Sequence, residues 1–242
     1  LRPFLEGQRL DTLLLRRADL RFPFPEGLSQ RVTGKTMRAV ERRAKYGLIR
    51  FDNAEPLSVL FHLGMSGRMT CEDDPSLPFE KHDHVVLETV RGQVRFNDPR
   101  RFGFMDLIDG SEEDNRFLAA LGPEPLSDAV SPAYLRAAFK DRASPIKASL
   151  LNQRLIAGLG NIYVCEALFE SGIQPTRKTG SLKRAEVERL CAAIKGVLAR
   201  AIEAGGSSLR DYKQVSGKLG YFQHAWAVYG RENEACRSCN AP

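Results

Sequence analysis

Apolar and polar residues alternate in short runs along the first part of the chain, and glycine and proline separate the runs. This pattern predicts strands at residues 10–15 and within 32–51. Residues 57–63 form an apolar run suited to a buried strand, and the residues around Val85 and Val94 predict further strands. Many short strands with frequent turns are typical of a sandwich. We therefore expect a β-rich N-terminal domain.

Beyond an acidic, proline-containing segment, apolar residues recur at the three- and four-residue spacing of helices. The spacing predicts a short helix at residues 132–140, a pair of helices within 146–171 and a long amphipathic helix at 183–204. Residues 207–229 are rich in glycine and aromatic residues and have little periodicity, so we expect a long ordered loop there. The order of elements, strands first and helices second, predicts an α+β protein.

A glycine-containing turn separates the two helices predicted within 146–171. Gly158 and Gly160 supply the backbone freedom of a sharp turn, and Asn161 stands at a helix start where its side chain is expected to cap. The unpaired N–H groups of such a start suit a phosphate. Spacing alone favours an ordinary helical hairpin, because few helix starts bind anions.

Composition adds a charge asymmetry to this picture. The 242 residues are 43% hydrophobic and 27% charged, as in ordinary globular proteins, and no apolar run reaches the length of a membrane span. The net charge is +6, and residues 1–50 alone carry twelve Lys and Arg against five Asp and Glu. Such a segment favours a phosphate-binding surface over a merely solvated face.

The five cysteines show no pattern of a disulfide framework, so a reducing cytoplasm is expected. Cys165 and Cys191 lie in helical patterns and are expected to be buried. Cys236 and Cys239 form one Cys-x-x-Cys pair, which supplies two of the four ligands of a structural zinc site. A redox dithiol is the alternative, although no strand-then-helix pattern surrounds the pair.

Several N-terminal side chains are candidates for contact with a ligand. Lys45 follows two arginines before a predicted strand, where cations usually face solvent. Met65 is flanked by glycines, which predicts an exposed turn, whereas a methionine alone more often fills a gap in a core. His82 and His84 lie on one face of a predicted strand, but two histidines without a third ligand make a weak metal site.

The segment Asp98-Pro-Arg-Arg-Phe-Gly103 predicts a shaped loop. Its proline and glycine constrain the backbone so that Arg100 and Phe102 are presented outward. A guanidinium can bond the edge of a base while an adjacent ring stacks on its neighbours. A purely structural loop anchored on Asp98 is the alternative, and it is stronger for Arg101 than for Arg100.

Longer motifs in the second half carry a resemblance to a known family. The segments Asn152-Gln-Arg154, Gly158-Leu-Gly-Asn-Ile-Tyr163, Glu166-Ala-Leu-Phe169 and Gly172-Ile-Gln-Pro175 resemble the helix-two-turns-helix signature of formamidopyrimidine-DNA glycosylases. These are bacterial base-excision enzymes that remove oxidised purines. The resemblance implies an α+β fold with an N-terminal β-sandwich-like catalytic domain, a helix-two-turns-helix DNA-binding domain, and a lesion-capping loop with a truncated zinc finger. The expected boundaries are 1–118, with an incomplete first helix, then 119–206 and 207–242.

The resemblance also implies roles for matching residues. Lys45 is expected to contact the DNA backbone at the lesion and to take part in strand elimination, as a catalytic residue. Met65, Arg100 and Phe102 are expected to enter the duplex and fill the space left by an extruded nucleotide. The expected DNA-binding residues are His82, Arg100, Arg101, Arg142, Lys147 and Asn161.

Zinc is the cofactor that the resemblance implies. In the family a second Cys-x-x-Cys pair completes a single structural zinc site, and the chain stops at Pro242 after the first pair. Cys236 and Cys239 therefore form half a site. We expect this polypeptide not to hold zinc stoichiometrically, because two thiolates leave half of the tetrahedron without protein ligands.

The function that the resemblance implies is base-excision repair. The expected substrate is double-stranded DNA with oxidised purines, such as 8-oxoguanine and formamidopyrimidines, or with abasic sites cleaved by β,δ-elimination. We expect a monomer without membrane contact, in the bacterial cytoplasm and nucleoid-associated when bound to DNA. A relative acting on oxidised pyrimidines is a closely related alternative.

The start of the chain bears on the expected activity. Family members begin with Pro-Glu-Leu-Pro-Glu, whose terminal proline amine is the nucleophile, whereas residues 1–7 match the helix that follows. We expect a fragment of a longer gene product, inactive as this polypeptide. The alternative is a non-catalytic homologue that binds damaged DNA. An in-frame Met-Pro-Glu-Leu-Pro-Glu encoded upstream of Leu1 would favour the enzyme.

Overall fold

The computed structural model describes residues 1–206 and 222–241, and the described residues divide into two compact units. The first unit comprises residues 1–119, and the second comprises residues 120–206 with 222–241. Residues 207–221 and 242 lie outside the described residues. They include most of the predicted loop at 207–229, whose described part contains a short 3-10 helix at Phe222–Ala225.

The first unit consists of eight strands and two short helices. In chain order these are α1 (Arg2–Leu5), β1 (Thr12–Leu15), α2 (Leu28–Val32), β2 (Met37–Arg43), β3 (Tyr46–Phe51), β4 (Leu57–His62), β5 (Arg68–Glu72), β6 (Asp83–Thr89), β7 (Gly92–Asn97) and β8 (Phe104–Asp109). The strands form two antiparallel sheets of four, with the orders β1-β6-β7-β5 and β2-β3-β4-β8. A 3-10 helix follows at Glu112–Asp114.

A single apolar core joins the inner faces of the two sheets. Val85 and Phe96 of one sheet and Ile49 of the other are completely buried in the same cluster. β7 is buried at every position, and β4 at every position except its last, as expected for strands paired on both sides and covered. The predicted β-sandwich and the predicted buried strand at 57–63 are therefore confirmed.

Three elements of this unit differ from the prediction. Residue 32 belongs to α2 and not to a strand, because Leu28 and Val32 lie four residues apart and bury one helical face. β5 was not predicted, since Arg68–Glu72 is largely polar and owes its conformation to pairing with β7. β8 was not predicted either, and it pairs along its whole length with β4.

The second unit is helical. Its helices are α3 (Pro132–Phe139), α4 (Ile146–Leu151), α5 (Asn161–Glu170) and α6 (Arg184–Glu203), with a 3-10 helix at Thr179–Ser181. They pack around their own apolar core, which includes Leu135, Ile146 and Leu190. The predicted helices at 132–140 and 183–204, and the helical pair within 146–171, are confirmed to within a residue or two except at the turn. No helix in the described part of the chain is long and apolar enough to cross a membrane.

Two local predictions for α5 are wrong. The residue that caps the helix is Gly160, which is extended, and the Asn161 side chain makes no capping hydrogen bond because Asn161 is already the first helical residue. Cys165 is only half-buried, since it lines an open cavity between α5 and residues 228–230, whereas Cys191 is buried as expected.

Candidate nucleic-acid interface

The loops that carry the predicted residues of the first unit lie at one end of the sandwich. His62, the last residue of β4, pairs with the first residue of both β3 and β8. Asn97, the last residue of β7, pairs with the first residue of both β5 and β6. Two loops therefore pass from one sheet to the other at this end. We name them the methionine loop (residues 63–67) and the arginine loop (residues 98–103).

Large side chains project from both loops into solvent. Met65 at the tip of the methionine loop is 68% exposed, and Phe102 in the arginine loop is 43% exposed. The guanidinium carbon of Arg100 lies 4.7 Å from the centre of the Phe102 ring, within the range of a cation–π contact. The predicted exposure of Met65 is confirmed, and the two loops together present an apolar and cationic edge.

The arginine loop is also anchored from inside. The carboxylate of the buried Asp98 accepts a hydrogen bond from the N–H of Gly103 at 2.8 Å. The next residue along from Arg100 is Arg101, which is exposed and holds a left-handed φ of 57°. Non-glycine residues rarely adopt this conformation, and its cost is about 1–2 kcal/mol. The loop is therefore anchored on Asp98 and still exposes both arginines. A structural role for the loop does not exclude contact between these arginines and a ligand.

His82 and His84 connect β6 to the arginine loop. His84 is buried, and its Nε2 lies at hydrogen-bonding distance, 2.9 Å, from the carbonyl oxygen of Asp98. The N–H of Asp98 donates to the carbonyl oxygen of His82 at 3.0 Å. Burial lowers the pKa of His84. The buried His84 imidazole thus contacts the backbone of the arginine loop, whereas the half-buried His82 ring is more accessible to solvent.

Lys45 and His62 form a second group at this end of the sandwich. Lys45 lies in the turn between β2 and β3, and partial desolvation of its ammonium lowers its pKa. Burial lowers the pKa of His62, and the charges of Lys45 and Arg21 lower it further. The Nδ1 atom of His62 accepts the N–H of Gly64 at 3.0 Å, so the ring supports the methionine loop.

His62 is a residue that the sequence prediction missed as part of the site. Its signal was its position directly before Leu-Gly-Met, at the end of a predicted strand. The pairing of His62 with Tyr46, next to Lys45, depends on the sheet register. The spacing of residues along the chain does not reveal that register.

In the second unit, the turn before α5 is held by Gln153. Its amide nitrogen donates to the carbonyl oxygens of Leu151 and Leu159 at 2.9 and 3.0 Å, and its amide oxygen accepts the N–H of Gly158 at 2.8 Å. Gly158 has a φ of 86°, which favours glycine. Asn161 follows, exposed, at the start of the ten-residue α5, where backbone N–H groups lack helical partners.

Two cations of the second unit lie near the elements of this turn. Lys147 is in α4 and is half-buried, and it lines the same cavity as Asn161. Arg142 is exposed, and its Nε donates to the carbonyl oxygen of Ala138 at 2.6 Å, near the end of α3. Lys147 and Asn161 are thus brought together by the structure, while Arg142 is partly engaged with the end of α3, the helix that precedes it.

Glu166 was not predicted to matter, yet it organises the segment before the cysteines. Its buried carboxylate accepts the N–H groups of Ala227, Val228 and Tyr229 at 2.7, 3.0 and 2.9 Å. About sixty residues separate the helix from this segment. Only the folded structure reveals the contact, because nothing local in the sequence pairs them.

The described residues do not complete a zinc site. Cys236 is half-buried and Cys239 is exposed, and hydrogen bonds from the Ser238 and Cys239 amides hold the pKa of the Cys236 thiol below its usual value. Within residues 1–206 and 222–241, no group of three or more His, Cys, Asp or Glu side chains is arranged to hold a metal ion. Two thiols alone are fewer than the four ligands that structural zinc requires.

The fold and the site together define a DNA-binding protein of the helix-two-turns-helix class, with a β-sandwich that exposes Met65, Arg100 and Phe102 at one end. The profile of the formamidopyrimidine-DNA glycosylase N-terminal domain matches residues 1–105, and that of the formamidopyrimidine-DNA glycosylase H2TH domain matches residues 121–213. The chain belongs to the formamidopyrimidine-DNA glycosylase family.

Individual relatives agree with this assignment over nearly the whole chain. The chain is 51% identical to a formamidopyrimidine-DNA glycosylase of Jannaschia sp. (strain CCS1), covering 98% of this chain and 87% of the relative. It is 55% identical to that of Acidiphilium cryptum (strain JF-5), covering 98% and 85%.

Solved structures agree as well. The MutM (Fpg) protein of Thermus thermophilus superposes with a TM-score of 0.88 at 37% identity, covering 99% of this chain and 86% of that one. Lactococcus lactis Fpg in complex with Fapy-dG-containing DNA superposes with a TM-score of 0.87 at 32% identity, covering 99% of this chain and 88% of that one. The same Lactococcus protein in complex with abasic-site DNA superposes with a TM-score of 0.89 at 33% identity, with the same coverage of both chains.

Proposed function

We propose that this protein carries out base-excision repair of duplex DNA, removing oxidised purines and cleaving the resulting abasic sites. Family membership supports this activity, and the Lactococcus relatives bind DNA containing Fapy-dG or an abasic site. The observation that carries the proposal is the joint exposure of Met65, Arg100 and Phe102 at one end of the sandwich.

The three exposed residues are assigned to extrusion of the damaged nucleotide. Flipping a base costs a few kcal/mol of lost stacking, and an apolar side chain that fills the hole offsets part of this cost. Met65 fills the vacated position, and Phe102 stacks in the opposite strand. The guanidinium of Arg100 then bonds the acceptor edge of the unpaired cytosine, which accounts for a preference for that base.

Lys45 and His62 are assigned to the DNA backbone beside the lesion. The lowered pKa of Lys45 reflects desolvation, and such a lysine exchanges a proton more readily than an ordinary surface lysine. We assign Lys45 to proton transfer during strand elimination. His62 supports the methionine loop through its hydrogen bond with the N–H of Gly64. His82 and Arg101 are assigned to contacts with the DNA phosphates.

The turn before α5 is assigned to a DNA phosphate. The exposed Asn161 amide and the partnerless N–H groups of the helix start point to an anionic ligand. Lys147 lines the same cavity and adds a positive charge. Arg142 is assigned to a further phosphate, because its guanidinium retains donors beyond the one given to Ala138.

Coarser features of the proposal follow from the family. We place the protein in the cytoplasm of a bacterium, associated with the nucleoid when bound to DNA, and acting as a monomer. Zinc stays a prediction, with Cys236 and Cys239 as two of its ligands. The division at 1–118, 119–206 and 207–242 stays a prediction as well.

Fluorescence anisotropy tests the recognition step. The probes are three labelled duplexes of one sequence, containing 8-oxoguanine opposite cytosine, an abasic analogue opposite cytosine, or only normal base pairs. We expect both damaged duplexes to bind at least about ten-fold more tightly than the undamaged one, because extruding an abasic nucleotide breaks no base pair and extruding a damaged base costs less than extruding a normal one. Equal affinity for all three would contradict the proposal.

A further inference from the structure

A buried carboxylate lies between the two loops that carry the wedge residues. Asp98 is completely buried, and both of its carboxylate oxygens accept hydrogen bonds. The Ser66 hydroxyl of the methionine loop donates to Oδ1 at 2.6 Å, and the N–H of Gly103 donates to Oδ2 at 2.8 Å. Burying a carboxylate is costly unless donors replace its water, so each donor is strongly tied to Asp98.

Ser66 extends this connection into the arginine loop. Its hydroxyl oxygen accepts the N–H of Arg100 at 3.2 Å while its hydrogen is given to Asp98. Ser66 is itself 1% exposed, so water does not compete for either bond. One hydroxyl thus joins the residue next to Met65 with the backbone of the arginine that faces the ligand. We name Ser66 and Asp98 the Asp98–Ser66 clamp.

The backbones of the two loops are also in direct contact. A Cβ atom built on Gly64 would lie 2.5 Å from the carbonyl carbon of Phe102 and 2.6 Å from the nitrogen of Gly103. A Cβ on Gly103 would lie 2.7 Å from the carbonyl oxygen of His62. Neither loop can shift toward the other, and the clamp opposes their separation.

We propose that the Asp98–Ser66 clamp is a positioning device that makes Met65, Arg100 and Phe102 enter DNA as one rigid wedge. The inference rests on the proposed function, because it concerns how that wedge is held. Side chains on two independent loops would each lose conformational freedom on insertion, whereas loops fixed in advance avoid that cost. Ser66 and Asp98 touch no DNA in this account and act only through the loops.

The variant Ser66→Ala tests the clamp, with Ser76→Ala as its matched control. Ser76 is a serine of the same unit whose hydroxyl donates to Asp74 at 2.6 Å, the same distance as in the clamp, but both residues are exposed and lie outside the two loops. Asp98→Asn is the second variant, which fills the same volume and removes the charge that both donors share. Urea unfolding establishes that each variant is folded at the temperature of the binding assays.

Two measurements on the intact chain read out wedge insertion. Anisotropy gives the ratio of affinities for an abasic-analogue duplex and an undamaged duplex. A 2-aminopurine placed beside the cytosine opposite the lesion reports unstacking by Arg100 and Phe102. We expect Ser66→Ala and Asp98→Asn to lower the affinity ratio about ten-fold, because the released loops must then lose conformational freedom when the wedge enters damaged DNA. We also expect a smaller 2-aminopurine signal at saturation and unchanged affinity for undamaged DNA.

The outcomes separate the clamp from the proposed function. The clamp would be overturned, and the proposed function left intact, if the folded Ser66→Ala and Asp98→Asn proteins showed the same affinity ratio and the same 2-aminopurine signal as Ser76→Ala. Equal losses on damaged and undamaged duplexes would also overturn it, since that result indicates a merely structural role. A wild-type protein without preference or signal would overturn the proposed function and the clamp with it.

Discussion

Arg100 combines an exposed guanidinium with a backbone N–H that is fixed by the Ser66 hydroxyl. Its side chain therefore leaves the loop from a fixed point, and its guanidinium carbon lies 4.7 Å from the centre of the Phe102 ring. A planar fork of donors held in this way can distinguish the acceptor edge of cytosine from the edges of other bases. The proposed specificity at the opposite base thus depends on Arg100.

We expect Arg100→Ala to weaken binding to a lesion duplex by about 1–3 kcal/mol when cytosine is opposite, and by less with the other three bases. Anisotropy on duplexes with each of the four opposite bases measures this. Arg38→Ala is the control, because it removes an exposed arginine of the same unit from outside both loops. An Arg100→Ala protein that retains the cytosine preference would contradict the assignment.

His62 makes stability depend on pH. Burial lowers its folded-state pKa below the usual 6.5, with further lowering by Lys45 and Arg21, and its Nδ1 must be unprotonated to accept the Gly64 N–H. As the pH falls through about 6.5 the unfolded chain binds the proton first, so acid favours unfolding. Burial of His84 acts in the same direction.

We therefore expect the free energy of unfolding to fall between about pH 7.5 and pH 5.5, and His62→Gln to lose part of that dependence. Urea titrations of both proteins at the two pH values measure the difference. A variant with the same pH dependence as the wild type would show that His62 is not shifted in the folded protein.

Single residues were predictable where their neighbours in the sequence determine their surroundings. The glycines beside Met65 and the proline before Arg100 indicated loops that expose these two side chains, and both side chains are exposed. His62, Gln153 and Glu166 were missed because their partners are set by sheet register, turn geometry or a segment about sixty residues away. Propensity and periodicity do not reveal such contacts.

At the scale of elements, the contact between the methionine loop and the arginine loop depends on Gly64. It has a φ of 66° and lies against the backbone of Phe102 and Gly103. We expect Gly64→Ala to lower the free energy of unfolding by about 2–4 kcal/mol, from backbone strain and the clash together. Gly7→Ala, at a φ of 78° with no atom within 4 Å of its Cβ position, isolates the strain, which is expected to cost about 1 kcal/mol. Urea unfolding compares them, and equal losses would contradict the close contact.

The turn before α5 belongs to the same scale. Asn161 is exposed at the start of the helix and does not cap it, so its amide is available to a ligand. We expect Asn161→Ala to weaken binding to damaged and undamaged duplexes by the same factor, since phosphate contacts carry no base information. Anisotropy with both duplexes tests this, and Asn53→Ala, at an exposed position of the first unit, is the control. A loss confined to the damaged duplex would argue against a phosphate site.

Elements with strong periodicity were predicted from sequence, and those without it were not. The helices at 146–171 and 183–204 bury regular apolar faces, and β4 is a continuous apolar run. β5 is mostly polar and β8 follows a loop, so pairing with neighbouring strands determines both. Tertiary pairing overrides local preference in such strands.

For the whole molecule, each unit has its own apolar core, one between two sheets and one among four helices. The change of pattern near residue 120 indicated this succession of strands and helices. The pairing orders β1-β6-β7-β5 and β2-β3-β4-β8 were not predictable, because they depend on contacts between distant segments. Those orders are what bring Lys45, Met65, His82 and the arginine loop to one end of the sandwich.

Base release from a defined lesion tests the central claim most directly. The protein expressed from its complete gene is incubated in excess with an 8-oxoguanine·cytosine duplex, and with the matched guanine·cytosine duplex as control. We predict release of 8-oxoguanine, cleavage of the strand at that site, and a covalent complex trapped by borohydride, with the control duplex intact. A damaged duplex that is bound but never loses its base would contradict the account and indicate a protein that only recognises damage.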